Sequence, residues 1–499
     1  MNDLTLSRFA STSELFDRAD HLDARSPYVW KGNSSSVYLT LPDLLSTKAL
    51  PNDARVIDPV AVLEYIMKSY MLGTRALVMG VSHAPPLCIP DGNGGWSCVE
   101  PPGHGFERAT PESIAIELRE LLVEEMLGYL KDKNSVGLLL SGGMDSRVMA
   151  AILALLARRG LWSGNVLCMT WGVERSRDVQ YAKRIAARFK WEWKHFPMSA
   201  EKLWRNIALL GWRGPEFGPI HLHAIPDIAE QQGLECILAA SYGDSVGRAE
   251  YSSVHLTRTR DILSHDFNDN ALVLRDVEAH SVGEIVADRE FRFDAGSRIR
   301  RNEIQRQFHY MRRQLSPAMH IIDERIPLYQ MFASPSVYGA MWKYAPECRT
   351  DQVYATMLSD LPGRLLDIPW ARTGTEYIQG GQEADDLSVS HSRYGRWLRR
   401  DLRPDVIALA TGDEIRRLGV FNYRTLDYLA RSYGFGFTKT EDRVDERVAW
   451  LASLALFIRH FDIRGIHVED KLQFSDKISA VMGIAKVMGY RLLRTVIRE

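Results

Sequence analysis

Apolar and polar positions follow two alternating periods through the middle of this chain. Ser135-Val-Gly-Leu-Leu-Leu140 is an apolar run that empties into Ser141-Gly-Gly-Met-Asp-Ser146. Val148, Met149, Ile152, Leu153, Leu155 and Leu156 then recur at helical spacing. The exchange repeats, predicting strand 135–140, helix 146–159, strand 165–171, helix 177–189, strand 191–197 and a later strand over 234–239. Alternation of this kind predicts an α/β fold with a parallel sheet and helices on both faces. Helix 146–159 is apolar nearly all round and is expected to be buried, with Arg158, Arg159 and Gly160 as a basic last turn and cap. Trp191 to Phe196 alternates rings with charges, as a strand near a sheet edge does.

Upstream the pattern is weaker. Ser36-Val-Tyr-Leu-Thr-Leu41 reads as a strand, and Asp58-Pro59 opens a helix reaching Tyr70. Strands at Arg75–Met79 and Pro86–Ile89 are expected around the turn Asp91-Gly-Asn-Gly-Gly95. Residues 1–105 are thus read as a small α+β module, closed by Pro101-Pro-Gly-His-Gly105. Thr110-Pro111 starts a helix carrying Ile114, Leu118, Leu121, Leu122 and Met126 on one face, and the α/β segment is set at 106–378. Beyond Tyr251 the texture is charged and helical. Arg298 to Leu315 holds six arginines and is expected to be a solvated basic face, and Gln379 to Asp386 is a loop. Residues 379–499 form a mainly helical extension ending in the basic, amphipathic Lys477–Glu499, which is expected to pack on its own domain rather than on a membrane.

Composition narrows the function classes. A chain of 499 residues exceeds one hydrophobic core, and 45% apolar with 25% charged residues is ordinary for a globular protein. The net charge of −1 gives no electrostatic case for a nucleic-acid partner. Five scattered cysteines without a Cys-x-x-Cys pair argue against zinc, iron–sulfur and dithiol chemistry and fit a reducing, cytoplasmic setting. The first residues lack a basic and apolar leader, and no apolar run is long enough to form a transmembrane segment.

The chemistry concentrates in the glycine turn. Successive backbone N–H groups at the end of a strand and the start of a helix favour an anion, and side chains at Gly142 or Gly143 would block its approach. Ser141 and Ser146 add hydroxyls, and Asp145 is placed to hold a divalent metal against phosphate oxygens. No Gly-Lys-Ser/Thr follows, so the loop that serves γ-phosphate transfer is absent.

Ser141-Gly-Gly-Met-Asp-Ser146 resembles the pyrophosphate loop of the N-type ATP pyrophosphatases. Thr170–Ala186, Ala240-Ser-Tyr-Gly-Asp-Ser-Val-Gly247 and Leu361–Gly374 resemble further stretches of its asparagine synthetase and β-lactam synthetase branch. The resemblance covers roughly residues 106–375 and implies the adenine nucleotide α-hydrolase-like fold, with ATP and Mg2+ as cofactors. It implies backbone contacts to adenine or ribose from Leu139, Trp171, Ala240 and Ser241, and Mg2+ bracketed by Asp145 and Asp244. It also implies Tyr242 in the amine-attack step and Arg372 near the family's catalytic lysine. Glutamine-dependent members begin with a cysteine after Met1, where this chain has Asn2. Residues 58–102 resemble the tail of that glutaminase domain, implying a truncated remnant.

Gly211 to His223 falls near the C-terminal rim of the sheet, where substrate pockets form. Glu216, His221 and His223 are candidates there for substrate or zinc, although a histidine pair without a third ligand is more often ordinary. The expected activity is therefore adenylation of a small-molecule carboxylate followed by acyl transfer to an amine. The nitrogen donor is free ammonia, a separate glutaminase, or an amine on the substrate. A tRNA-modifying pyrophosphatase and a non-catalytic nucleotide-binding scaffold are the alternatives, and the oligomeric state is left open.

Overall fold

The computed structural model describes residues 11–47, 50–249, 271–287, 303–377, 386–435, 441–466 and 473–497. Asp58 caps the helix Pro59–Lys68 by accepting the N–H groups of Val60 and Ala61 at 2.9 and 3.3 Å, with Pro59 at its first position. Around it, β1 (Tyr28–Trp30), β2 (Asn33–Tyr38) and β3 (Val81–His83) pair antiparallel in the order β2-β1-β3. A hairpin of β4 (Cys88–Pro90) and β5 (Trp96–Cys98) follows, its turn held by Asp91, which accepts the N–H groups of Asn93 and Gly95. The expected strand at Arg75–Met79 does not form. Its residues make single bridges, Arg75 to Ser82 and Val78 to Ile57, and Trp96–Cys98 completes the hairpin instead. Register places Cys88 opposite Cys98 with their sulfurs 2.6 Å apart, so these two cysteines are neighbours rather than scattered.

Thr110 caps the helix Pro111–Leu130 by accepting the Ser113 N–H at 3.3 Å, and this helix leads into the central sheet. There β6 (Ser135–Leu139), β7 (Asn165–Gly172), β8 (Glu192–Pro197), β9 (Cys236–Ala239) and β10 (Leu328–Gln330) run parallel in the order β10-β9-β6-β7-β8. The chain steps outward from β6 to the β8 edge, then returns to the other side of β6. That reversal opens a crevice beyond the C-terminal ends of β6 and β9, the switch point of such a sheet. β10 is not among the expected strands, because three residues are too few to carry a period.

Side chains alternate between the two faces. Val136, Leu138, Cys168 and Leu238 join a cluster with the helices Pro111–Leu130, Met144–Arg158, Arg177–Phe189 and Asp351–Asp360. Leu139, Met169, Ile237 and Ala239 face the helices Pro59–Lys68, Ala200–Arg213, Ser316–Asp323 and Arg443–Phe461. Tyr65 stacks on Trp450 with ring centroids 4.0 Å apart, so the N-terminal and C-terminal helices share one core under the sheet.

One surface expectation is corrected. Arg312 and Arg313, in the π-helical segment Arg306–Leu315, are buried rather than solvated, because acceptors in the N-terminal segment reach them. Arg312 donates to the Ala84 carbonyl at 2.8 Å, and Arg313 to the Arg75 carbonyl at 2.7 Å. The last helix, Phe474–Ile497, packs on its own domain through buried Ala480 and through Arg491, which donates to Asp442 and Asp445, while the side chains of Ile478, Val481, Met482 and Leu492 are exposed. Residues 298–302 and 379–385, also read from the sequence, lie outside the described residues. No described helix is long and apolar enough to cross a membrane.

Candidate active site

The glycine loop joins β6 to the helix Met144–Arg158, whose N-cap is Gly143. Three of its N–H groups rest on side-chain oxygens, each at 3.1 Å: Ser141 on Ser146 Oγ, Gly143 on Ser141 Oγ, and Gly142 on Asp178 Oδ1. Two of these acceptors are hydroxyls, which rotate, so an incoming anion at the helix N-terminus can take their place. From below, the Arg147 guanidinium donates to the carbonyls of Gly142, Leu365, Ile368 and Pro369. Ala371 N–H also donates to the Gly142 carbonyl at 3.1 Å. A Cβ on Gly142 would lie 2.7 Å from the Ala371 Cβ, which is why this position is glycine.

A cavity of about 370 Å³ opens at the switch point. Leu139, Ser141, Asp145, Ser146, Trp171, Ala240, Ser241 and Asp244 line it, eight of the residues singled out in the sequence. Ser241 is fixed by its N–H donating to Gln330 Oε1 at 3.0 Å, which is what the short β10 contributes. The two glycine loops meet here. A Cβ on Gly243 would lie 2.6 Å from Asp145 Oδ1, so the bare backbone lets Asp145 approach the loop that carries Asp244. Tyr354 holds that loop from behind, donating to the Gly243 carbonyl at 2.8 Å.

Arg248, one residue past the second loop, is the cation of this site. It donates to both oxygens of Asp145, at 3.2 and 3.0 Å, and to Asp351 at 2.6 Å. It is 5% exposed, so its charge is set against these carboxylates rather than against water. Sequence reading passed over it because it follows the motif instead of lying in it.

Tyr242 and Arg372 are elsewhere. Tyr242 is fully buried; its hydroxyl pairs with Ser316 Oγ at 2.5 Å and donates to the Leu22 carbonyl at 3.3 Å. Burial pushes its phenol well above the ordinary value. Arg372 is exposed, with its guanidinium 4.9 Å from the Trp370 ring centre. Neither side chain lines the cavity. Their neighbours in the chain do reach the site: Ala371 N–H donates to the Gly142 carbonyl, and Ser241 lines the cavity.

The loop Gly211 to His223 divides. Glu216 is buried away from the cavity, accepting from His83 at 2.5 Å, Tyr28 at 3.1 Å and Arg313 at 3.2 Å. Although burial opposes it, His83 and Arg313 bring its carboxyl down to about 2. His221 and His223 do line the cavity, and His391 and Asp178 join them there. His223 stacks on Trp171 at 5.7 Å, its backbone in the left-handed region at φ 46°. Burial lowers His221 to about 4 and His223 well below the usual histidine value. Among the described residues no group of three or more His, Cys, Asp or Glu is arranged to hold a metal, so the loop histidines and Glu216 do not form a zinc site.

The arrangement fits a nucleotide with its magnesium. N–H groups held by displaceable hydroxyls suit phosphate oxygens, and Mg2+ takes one or two protein carboxylates with the rest of its shell from phosphates and water. Asp145 and Asp244 are the carboxylates at hand. Among curated proteins no match to this chain is found. Residues 117–244, which run from the helix ahead of β6 through the first glycine loop and into the second as far as Asp244, match the asparagine synthase family model.

Proposed function

We propose that this protein is an ATP-dependent ligase that adenylates a carboxylate, releases pyrophosphate and passes the acyl group to ammonia or an amine. The observation that carries this reading is the meeting of the two glycine loops, with Gly243 against Asp145 at the mouth of a cavity, inside the segment that matches asparagine synthase. In this reading Ser141, Gly142, Gly143 and Ser146 hold the phosphates, and Leu139, Trp171, Ala240 and Ser241 border the adenine and ribose. Asp145 and Asp244 hold Mg2+, which when bound offsets charge on the departing pyrophosphate. Arg248 then leaves Asp145 or stays as a second cation beside the phosphates. The missing Gly-Lys-Ser/Thr supports cleavage between the α and β phosphates over γ-phosphate transfer.

The test is ATP–pyrophosphate exchange across a panel of carboxylic acids, with Asp145→Asn and Asp244→Asn as controls. Exchange that depends on one acid and falls at least about 100-fold in either variant is expected. Exchange that survives both substitutions, or no exchange with any acid, overturns the reading.

A further inference from the structure

The last helix, Phe474–Ile497, leaves Phe474, Ile478, Val481, Met482, Leu492 and Leu493 between 49% and 77% exposed. With about 100° of turn per residue, these six side chains fall in one stripe about 120° wide. Ala485 and Gly489, the remaining residues of that stripe between Val481 and Leu493, are exposed as well. A continuous apolar surface of this kind marks a place where something binds, whereas apolar residues scattered singly do not.

The opposite side of the helix is fastened to the domain. Ala480 and Gly483 are buried there, and Asp476 accepts the Arg275 N–H at 3.0 Å. Asn422 donates to the Asp476 carbonyl at 2.9 Å, and Arg491 donates to Asp442 and Asp445 at 2.8 and 3.1 Å. The stripe therefore points away from a helix that is already anchored. Its charges have one sign. Lys477 and Lys486 are exposed, and their positions fall on opposite borders of the stripe. Asp476, the one carboxylate side chain among residues 474–493, is buried.

We propose that this helix docks the protein on an anionic lipid surface, lying in the plane of the interface. The apolar stripe enters the boundary between headgroups and acyl chains, and the two lysines reach outward along its borders to the lipid phosphates. Lysine suits such a border, because its stem covers apolar surface while its ammonium stays among polar groups. A second copy of the same face is the poorer partner, since it would bring lysines against lysines with no carboxylate on either face to meet them. The helix is not apolar enough to cross a bilayer, so it rests on one. This inference goes beyond the ligase reading and does not depend on it.

The experiment is flotation of the full chain with vesicles of phosphatidylcholine, alone or mixed equally with phosphatidylglycerol. Binding to the mixed vesicles should be at least about tenfold tighter and should weaken as sodium chloride is added. The double variant Met482→Glu, Leu492→Glu changes two exposed side chains, so it should melt with the wild type and bind mixed vesicles at least about tenfold more weakly. Lys477→Glu with Lys486→Glu should abolish the preference for phosphatidylglycerol. Should the Met482/Leu492 variant melt lower than wild type, the lysine variant, which leaves the stripe intact, decides. No flotation with either vesicle, wild-type binding indifferent to phosphatidylglycerol, or full binding by a correctly melting variant of either kind overturns the proposal. Sedimentation of the lipid-free protein covers the other occupant: a dimer that the Met482/Leu492 variant abolishes, together with no flotation, overturns lipid docking in favour of a second copy.

Discussion

Tyr242 and Ser241 are adjacent in sequence, yet only Ser241 lines the cavity. The phenol is spent on Ser316 and on the Leu22 carbonyl, which ties the second glycine loop to the first described residues of the chain. Tyr242→Phe should therefore cost about 1 kcal/mol of stability, the worth of a buried hydrogen bond, and leave both half-reactions within about threefold of wild type. Arg372→Ala, an exposed change, should be near neutral in stability and equally mild in exchange. Thermal unfolding and exchange kinetics on the two variants check this; a 100-fold kinetic loss in either would return that residue to the reaction. Neither placement can be read from sequence. A motif fixes where the backbone goes, but the direction of a side chain beside it is decided by what packs behind, here Ser316 for Tyr242 and Trp370 for Arg372.

At the level of elements, the site depends on two turns touching. Gly243→Ala would drive a methyl group to 2.6 Å from Asp145 Oδ1, with the Asp145 Cβ 2.8 Å away, so one of the loops must retreat. Exchange should fall at least about tenfold while the far-ultraviolet circular dichroism stays that of the wild type; unchanged exchange would show that the loops need not touch. Most of this scaffold is legible in the sequence because it is local. β6 to β9 and their helices announce themselves through apolar period, and Thr110, Gly143 and Ser176 cap where such residues should. What is not legible is contributed from a distance. β10 is three residues long, and its Gln330 matters through one hydrogen bond to Ser241. His391 sits in a polar stretch with no period at all, and backbone bonds to Val173, Arg175 and Arg177 bring its segment to the end of β7. The buried arginines 312 and 313 read as surface because their acceptors lie more than two hundred residues earlier.

The molecule as a whole is joined through such distant polar contacts. His309, in the π-helical segment, accepts the Gly73 N–H on its Nδ1 at 2.8 Å, linking that segment to the N-terminal module. Burial, followed by Arg313 and Arg312, lowers its pKa to about 3. The folded protein thus keeps His309 neutral while the unfolded chain protonates near pH 6.5. Its contribution is full above pH 6.5 and is lost as pH falls toward 3, at no more than about 1.4 kcal/mol per pH unit. His309→Gln should be less stable than wild type at pH 7.5, and the gap should narrow steadily by pH 4.5; thermal unfolding across that range is the measurement, and a constant gap would refute the assignment. The ion pair between Arg248 and Asp145 has a consequence on the same scale. Asp351, from a different helix, shares the guanidinium, so the cation beside Asp145 is braced by two parts of the chain. In the ligase reading, a dication held by Asp145 would have to share that carboxylate with the guanidinium or displace it. On that reading Asp145 would act as a small ion exchanger, its occupancy decided by competition between a tethered monovalent guest and a mobile divalent one.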